Sequence, residues 1–181
     1  MQADLVRRAQ QGDEEAFAAL VPAAVDRLIA VAYRILRDPE LAEDVTQQAL
    51  LIAWRKLPTL REPDRFDAWT YRLLVNACYA EAGRRRGNVT PLRLLADDAA
   101  VVDSAAQTHD RDQLERGFTT LSIAHRTVVV LHLHVGLPFE EIATMLDIPV
   151  GTARSRLHYA LRALRSAMES DDVATGTGGA I

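Results

Sequence analysis

The chain has 181 residues, a formal net charge of −4 and one cysteine, Cys78. That length supports one or two small domains with true cores, and the lone thiol excludes an internal disulfide and leaves no metal-ligand set. No run reaches the ~18 apolar residues of a membrane span, and the polar start, Met1 to Gly12, lacks a signal-peptide apolar core, so a cytoplasmic protein without membrane insertion is expected.

Ala, Leu and Arg dominate and β-branched runs are short, a mix that favours helix throughout. From Asp13 to Leu36, Phe17, Leu20, Val21, Ala24, Leu28, Val31, Ala32 and Ile35 recur at spacings of three and four, which predicts one long amphipathic helix. Pro22 falls inside it, where a proline splits or kinks a helix. Asp38-Pro39-Glu40 then supplies a cap residue, a proline for the first helical position and an acid in the first turn. The helix it opens runs through Val45, Ala49, Ile52 and Ala53 to Lys56. Leu57 to Asp67 (LPTLREPDRFD) has two prolines and no period, and a loop of this length between strong helices is suspected of function. A third helix, Phe66 to Arg86, carries Trp69, Leu73, Asn76, Ala77 and Ala80 on related faces. It closes on Arg84-Arg85-Arg86-Gly87, cations at a negative helix end before a stop residue.

Periodicity fades from Asn88 to His109, the expected linker, although Leu92, Leu94 and Leu95 suggest that its start packs on something. A second lobe follows, with a short helix from Asp110 to Leu121 and a helix from Ile123 to Val135, capped by Ser122 and closed by Gly136. Leu137-Pro138 opens a helix from Phe139 to Leu146, Asp147-Ile148-Pro149 breaks it, and a last helix runs from Val150 to Ser170. The remainder, DDVATGTGGAI, is small, polar and glycine-rich and is expected to be disordered. The fold expected is all-α: two small helical domains, 1–87 and 110–170, joined by a flexible linker, 88–109, with a tail, 171–181.

The second domain contains a helix-turn-helix, EEIATMLDIPVGTARSRLHYALRAL, Glu140 to Leu164. Ile142, Ala143 and Leu146 face inward on its first helix; Ala153, Leu157, Ala160, Leu161 and Leu164 are the expected buried face of its second. The opposite face carries Thr152, Ser155, Arg156, Tyr159 and Arg162, with Arg154, His158 and Arg165 at its margins. No acid occurs from Pro149 to Met168. A helix of this kind suits the DNA major groove, its first turns reaching base edges and its cations reaching phosphates. A plain helical hairpin with a solvated arginine face is the bland alternative.

The net charge hides an uneven distribution. Residues 1–95 hold 14 basic and 13 acidic side chains, and 121–168 hold 5 and 3, whereas 96–120 hold 2 and 6. Whole-chain charge therefore says little about either lobe's surface, though it predicts weak DNA binding by the isolated chain. Enzymatic readings find no support. His132 and His134 lie about 200° apart around a helix and cannot chelate one ion together, and no carboxylate or cysteine joins His125 and His132. No glycine-rich phosphate loop and no nucleophile with a plausible base is present, so neither cofactor nor metal is expected.

Two segments together resemble the extracytoplasmic-function (ECF) sigma factors of bacterial RNA polymerase. LAEDVTQQALLIAWRKLPTLREPDRFDAWTYRLLVNACYAEAGRRR is similar to the family's second conserved region, and LPFEEIATMLDIPVGTARSRLHYALRAL to its fourth. The match covers about residues 10–87 and 110–168. The resemblance implies a subunit that directs promoter recognition and initiation and catalyses nothing itself. It implies that Asp44, Gln47, Gln48 and Leu51 dock on the clamp helices of the polymerase, a solvated helix face being the alternative; Gln48 replaces the family's usual Glu there. It implies −10 element contacts from Arg61, Arg65, Trp69, Thr70, Arg72 and Asn76, with an unstacked base held beside the Leu57–Asp67 loop. Phe66 is expected in the core, while core and DNA contact weigh equally for Trp69. Arg84, Arg85 and Arg86 are either phosphate contacts or a helix cap. In the −35 element, Thr152, Arg154, Ser155, Arg156, His158 and Arg162 are the implied contacts. The polymerase flap and an anti-sigma factor are the further partners implied. An ordinary repressor would not need the first lobe, and a sigma mimic would lose the arginines of the last helix.

Overall fold

The computed structural model describes residues 1–85 and 117–176, with side chains as far as residue 167. Residues 86–116 and 177–181 lie outside these, and with them Arg86, the expected linker and most of the expected helix Asp110 to Leu121. Helices and turns account for every element among the described residues. The chain divides into two units, Met1–Leu92 and Arg93–Ile181.

The first unit opens with a helix that the polar reading of Met1 to Gly12 overlooks: α1, Gln2–Gln10. It carries Asp4 in its first turn and Arg7 and Arg8 in its last, which suits the helix dipole. Its Val6 and Ala9 are buried. Asp13 caps α2 (Glu14–Leu36), its Oδ1 accepting from the Ala16 N–H at 2.9 Å. The other carboxylate oxygen accepts from Arg8 at 2.7 and 2.9 Å, tying the two helices at their junction.

Pro22 leaves α2 unbroken. Pro22 and Ala18, whose carbonyl loses its helical partner, are both exposed, so water can serve that carbonyl. α2 is, by length and composition, apolar enough to cross a membrane, with a mean hydropathy of 1.6 in its most apolar stretch, contrary to the expectation from sequence. Its Leu20, Ala24, Leu28, Val31, Ala32 and Ile35 are buried, and it packs on α1 and on the two long helices that follow it, so one side of it forms part of the core. Arg37 ends it in the left-handed region (φ 63°), its N–H donating to the Tyr33 carbonyl at 2.8 Å.

α3 (Pro39–Lys56) begins as expected, with Asp38 Oδ1 accepting from the Leu41 N–H at 3.0 Å. Ala42, Val45, Ala49 and Ala53 form its buried stripe; three small residues among these let α2 and the next long helix approach closely. Two single 3-10 turns, Leu57–Thr59 and Pro63–Arg65, lead into α4 (Phe66–Arg85). α4 buries Phe66, Thr70, Leu74, Val75, Ala77, Cys78, Tyr79 and Gly83; of the expected Trp69, Leu73, Asn76, Ala77 and Ala80, Ala77 is buried, Trp69 and Leu73 are half-buried, and Asn76 and Ala80 are exposed.

In the second unit a helical turn at 117–120 precedes α5 (Ile123–Val129), whose cap Ser122 accepts from the His125 N–H at 3.4 Å. Gly117 lies so close to the last helix that an added Cβ would stand 2.9 Å from Leu164 Cδ2. The expected helix to Val135 instead widens into a π-type turn at Val130–His134, where the Val135 N–H donates to the Val130 carbonyl at 3.0 Å. Gly136 (φ 84°) closes it, supplying a backbone angle that costs other residues strain.

α6 (Phe139–Leu146) and α7 (Val150–Gly176) form the helix-turn-helix. Asp147 (φ 53°) ends α6, and the Ile148 N–H donates back to the Ala143 carbonyl at 3.0 Å, a Schellman-type close. Ala153, Ala160 and Leu164 are buried, with Leu157 partly so, but Leu161 is 41% exposed and does not belong to the buried face expected of it. A helix buries a narrow stripe against few partners, and Leu161 sits just past its edge. α7 also continues six residues into the expected disordered tail, 171–176. Propagating a formed helix costs little per residue, and no proline stops it before Gly176.

Candidate nucleic-acid interface

α3 turns Asp44, Gln47, Gln48 and Leu51 outward together, all exposed and opposite the Ala42–Val45–Ala49–Ala53 stripe. Leu51 stands out, being 53% exposed, because an apolar side chain on an otherwise polar face is free to bury itself against a partner.

At the far end of α3, the Leu57–Asp67 segment is irregular but firmly held. Leu57, Leu60 and Phe66 join Val6, Ala9, Ala16 and Leu20 in one apolar cluster. Phe66 is therefore a core residue. Trp69 packs on the same cluster, its ring centroid 6.2 Å from that of Phe66, yet keeps part of its surface outside. The turn tops point outward: Arg61 and Arg65 are exposed, as are Arg72 and Asn76, about two and three turns along α4. Thr70 must be withdrawn from this surface. It is only 2% exposed, and its hydroxyl donates to the Asp67 carbonyl at 2.8 Å. A position four residues after Phe66 on a helix returns to the buried side.

Arg84 and Arg85 are exposed but lie at the opposite end of α4, about 25–30 Å from Phe66 at ~1.5 Å per residue. Arg84 pairs with Glu81, and Arg85 with Asp38 at 3.4 Å. The structure thus separates two groups that the sequence placed in one list. Arg86 lies outside the described residues.

The segment's anchors escaped the sequence reading. Asp67 accepts from Arg27 of α2 at 2.6 and 2.7 Å and from Gln2 of α1 at 2.7 Å. The hydrogen bonds from Arg27 hold the Asp67 carboxyl below its usual range, partial burial opposes this, and the Gln2 bond adds to it. Gln10 donates its side-chain amide to the Leu57 and Leu60 carbonyls at 3.1 and 2.7 Å. Only the apolar spacing Leu5, Val6, Ala9 could have signalled α1; nothing in the sequence pairs Gln10 with residues about fifty positions away.

On α7, Arg154, Ser155, His158 and Arg162 are exposed, while Thr152 and Arg156 are half-buried. These six share the outer side of one helix, so here the sequence-derived set comes together. Ser155 donates to the Thr152 carbonyl at 3.0 Å. Arg154 contacts Glu140 at 3.2 Å and lies 5.6 Å from the centre of the Phe139 ring, so α6 braces it. Phe139 in turn stacks on His132 at 4.2 Å. Tyr159 is 61% exposed and lies against the His125 ring at 4.8 Å.

Comparison with known proteins places both units. Residues 20–87 match Sigma-70 region 2 and residues 118–166 match Sigma-70 region 4. The chain is 30% identical over 178 residues to the RNA polymerase sigma-H factor of Pseudomonas aeruginosa, covering 91% of this chain and 92% of that one. It is 33% identical over 148 residues to the RNA polymerase sigma-E factor of Streptomyces avermitilis (82% of each), and 27% identical over 173 residues to the ECF RNA polymerase sigma factor SigW of Bacillus subtilis (88% of this chain, 92% of that one). Its fold is similar to that of the sigma factor RpoE in complex with the anti-sigma factor NepR from Bartonella quintana, with a TM-score of 0.66 and 23% identity over 86% of this chain and 98% of that one. CnrH in complex with the cytosolic domain of CnrY gives a TM-score of 0.65 and 23% identity over 94% and 98%.

Proposed function

We propose a division of labour between the two units of this chain, which belongs to the extracytoplasmic-function sigma factors of bacterial RNA polymerase. As a sigma factor it binds core polymerase, recognises promoter DNA and initiates transcription. The residue assignments are our reading. The α3 face of Asp44, Gln47, Gln48 and Leu51 docks on the polymerase clamp. The α7 face, Thr152, Arg154, Ser155, Arg156, His158 and Arg162, enters the major groove at the −35 element. The Leu57–Asp67 segment with Arg61, Arg65, Trp69, Arg72 and Asn76 captures an unstacked base of the −10 element. Arg84, Arg85 and Arg86 follow the phosphates of duplex DNA upstream, a span of about seven to eight base pairs from the loop at ~3.4 Å per pair.

The observation that carries this reading is the contrast in shape between the two surfaces. A regular helix with exposed arginines and hydroxyls fits a duplex groove, whereas an irregular turn beside a half-exposed tryptophan fits a base removed from its stack. Polymerisation belongs to the core enzyme, so the chain needs no catalytic group of its own, and it acts in the cytoplasm. The second unit also meets the polymerase flap. One structural neighbour was solved with an anti-sigma factor and the other with the cytosolic domain of CnrY; an anti-sigma partner here would cover apolar groups such as the exposed Leu133, Tyr159 and Leu161.

The test is transcription by purified core polymerase with this chain on a randomised promoter pool, followed by sequencing of transcript start sites. Asp44→Ala with Leu51→Ala should weaken core binding and leave the selected sequences unchanged. Arg154→Ala with Arg156→Ala should relax the upstream element, and Arg61→Ala with Asn76→Ala the downstream one. Loss of upstream preference in the loop variants, or undiminished core binding by the α3 variant, overturns the assignment.

A further inference from the structure

The loop that the proposed function makes a base reader has irregular backbone, and such backbone has no ladder of its own to satisfy its polar groups. Its shape must be set from outside. Here the outside support is α1. At one end of the helix, the Gln10 amide spans the Leu57 and Leu60 carbonyls at 3.1 and 2.7 Å, using both N–H donors on two points of one turn. Leu57 also accepts from the Leu60 N–H at 3.0 Å, so the turn is closed from within and clamped from beneath. At the other end of the helix, Gln2 donates at 2.7 Å to Asp67, the residue that ends the loop and that Arg27 holds from α2. Between these points Leu5, Val6 and Ala9 pack with Leu57, Leu60 and Phe66 in a single apolar cluster. The same short helix therefore grips the loop at both ends, and it precedes the stretch, 20–87, that matches Sigma-70 region 2.

We infer that α1 is the positioning element of the base-reading loop, and that Gln10 is the residue through which it sets selectivity at the −10 element. The inference rests on the reading of the loop given above. Gln10 touches no base; it fixes the distance between two carbonyls and so the outline of the turn that carries Arg61. A shift of ~1 Å in a recognition element is enough to lose discrimination between similar ligands.

The experiment uses the full chain bound to core polymerase and a single-stranded oligonucleotide carrying the downstream element found in the promoter selection. The readout is the ratio of its affinity to that of the same strand with one base changed. Gln10→Met keeps the side-chain length but removes both donors, and should lower the ratio roughly five- to tenfold, with core affinity and upstream preference unchanged. Gln10→Lys restores a donor within reach and should recover most of the ratio. If Gln10→Met does not fold, Gln2→Ala, at the exposed end, should lower the ratio about twofold. A Gln10→Met protein that discriminates like the parent, while Arg61→Ala with Asn76→Ala does not, overturns the positioning role and leaves the loop as reader. If the loop variants also discriminate like the parent, the loop is not the reader and the inference falls with it.

Discussion

The two surfaces proposed to face DNA are built by opposite means. That of the second unit comes from one helix: its six proposed contacts fall within eleven residues of α7, and the tertiary brace on them, Arg154 to Glu140, bridges just 14 positions. That of the first unit rests on hydrogen bonds and ion pairs reaching 40, 47, 50 and 65 positions along the chain. A duplex offers a regular groove, so a regular helix can read it. A displaced base requires an irregular pocket, and irregular backbone must be held by distant parts of the molecule. The reading helix needs distant residues only for the apolar packing of its inner face, whereas the loop needs them for the hydrogen bonds of its own backbone and end.

Four expectations test that contrast. The largest concerns the scaffold. Phe66 is 1% exposed, and Phe66→Ala should cost about 3–5 kcal/mol, seen as a fall in the denaturant midpoint. A loss under 1 kcal/mol would mean the loop does not lean on the core. Next, Arg156→Ala should cost about 1–3 kcal/mol in binding upstream DNA and relax preference at one base pair, whereas Arg162→Ala should weaken all sequences alike and lower the salt slope by about one. Equal behaviour of the two would blur the division into base and phosphate contacts.

Third, Asp67→Asn should destabilise the first unit by about 1 kcal/mol at neutral pH, a modest figure because solvent reaches and screens the Arg27–Asp67 pair. The folded carboxyl titrates below its unfolded value, so its contribution is present above the unfolded value, ~4, and is lost as pH falls through the folded one. Melting curves of the two proteins should converge in acid and separate towards neutrality; a constant gap would assign the effect to packing. Last and smallest, Cys78 should ignore alkylating reagents in the native protein, since burial pushes its thiol up to about 12. Rapid labelling without unfolding would show the α4 core to be looser than its burial implies.

Much of this protein is decided by neighbours along the chain. Asp38-Pro39 and Ser122 mark helix starts because a cap needs only the next three residues, and Asp147-Ile148-Pro149 marks the break of the helix-turn-helix for the same reason. The outward faces of α3 and α7, proposed here for docking and for reading, are likewise legible, because outward positions recur with the helical period once the apolar stripe is seen. Tertiary structure alone decided the rest. It left Leu161 at the surface beside the buried Ala160 and Leu164, whereas the burial of Thr70 and the distance of Arg84 and Arg85 from the loop already follow from the period and length of one helix. It also gave the polar start of the chain a role as the clamp beneath that loop, through Gln10 and Gln2. Periodicity states which side of a helix is apolar, but which groups meet across it depends on how the helices pack, and that energy is shared among residues the sequence keeps far apart.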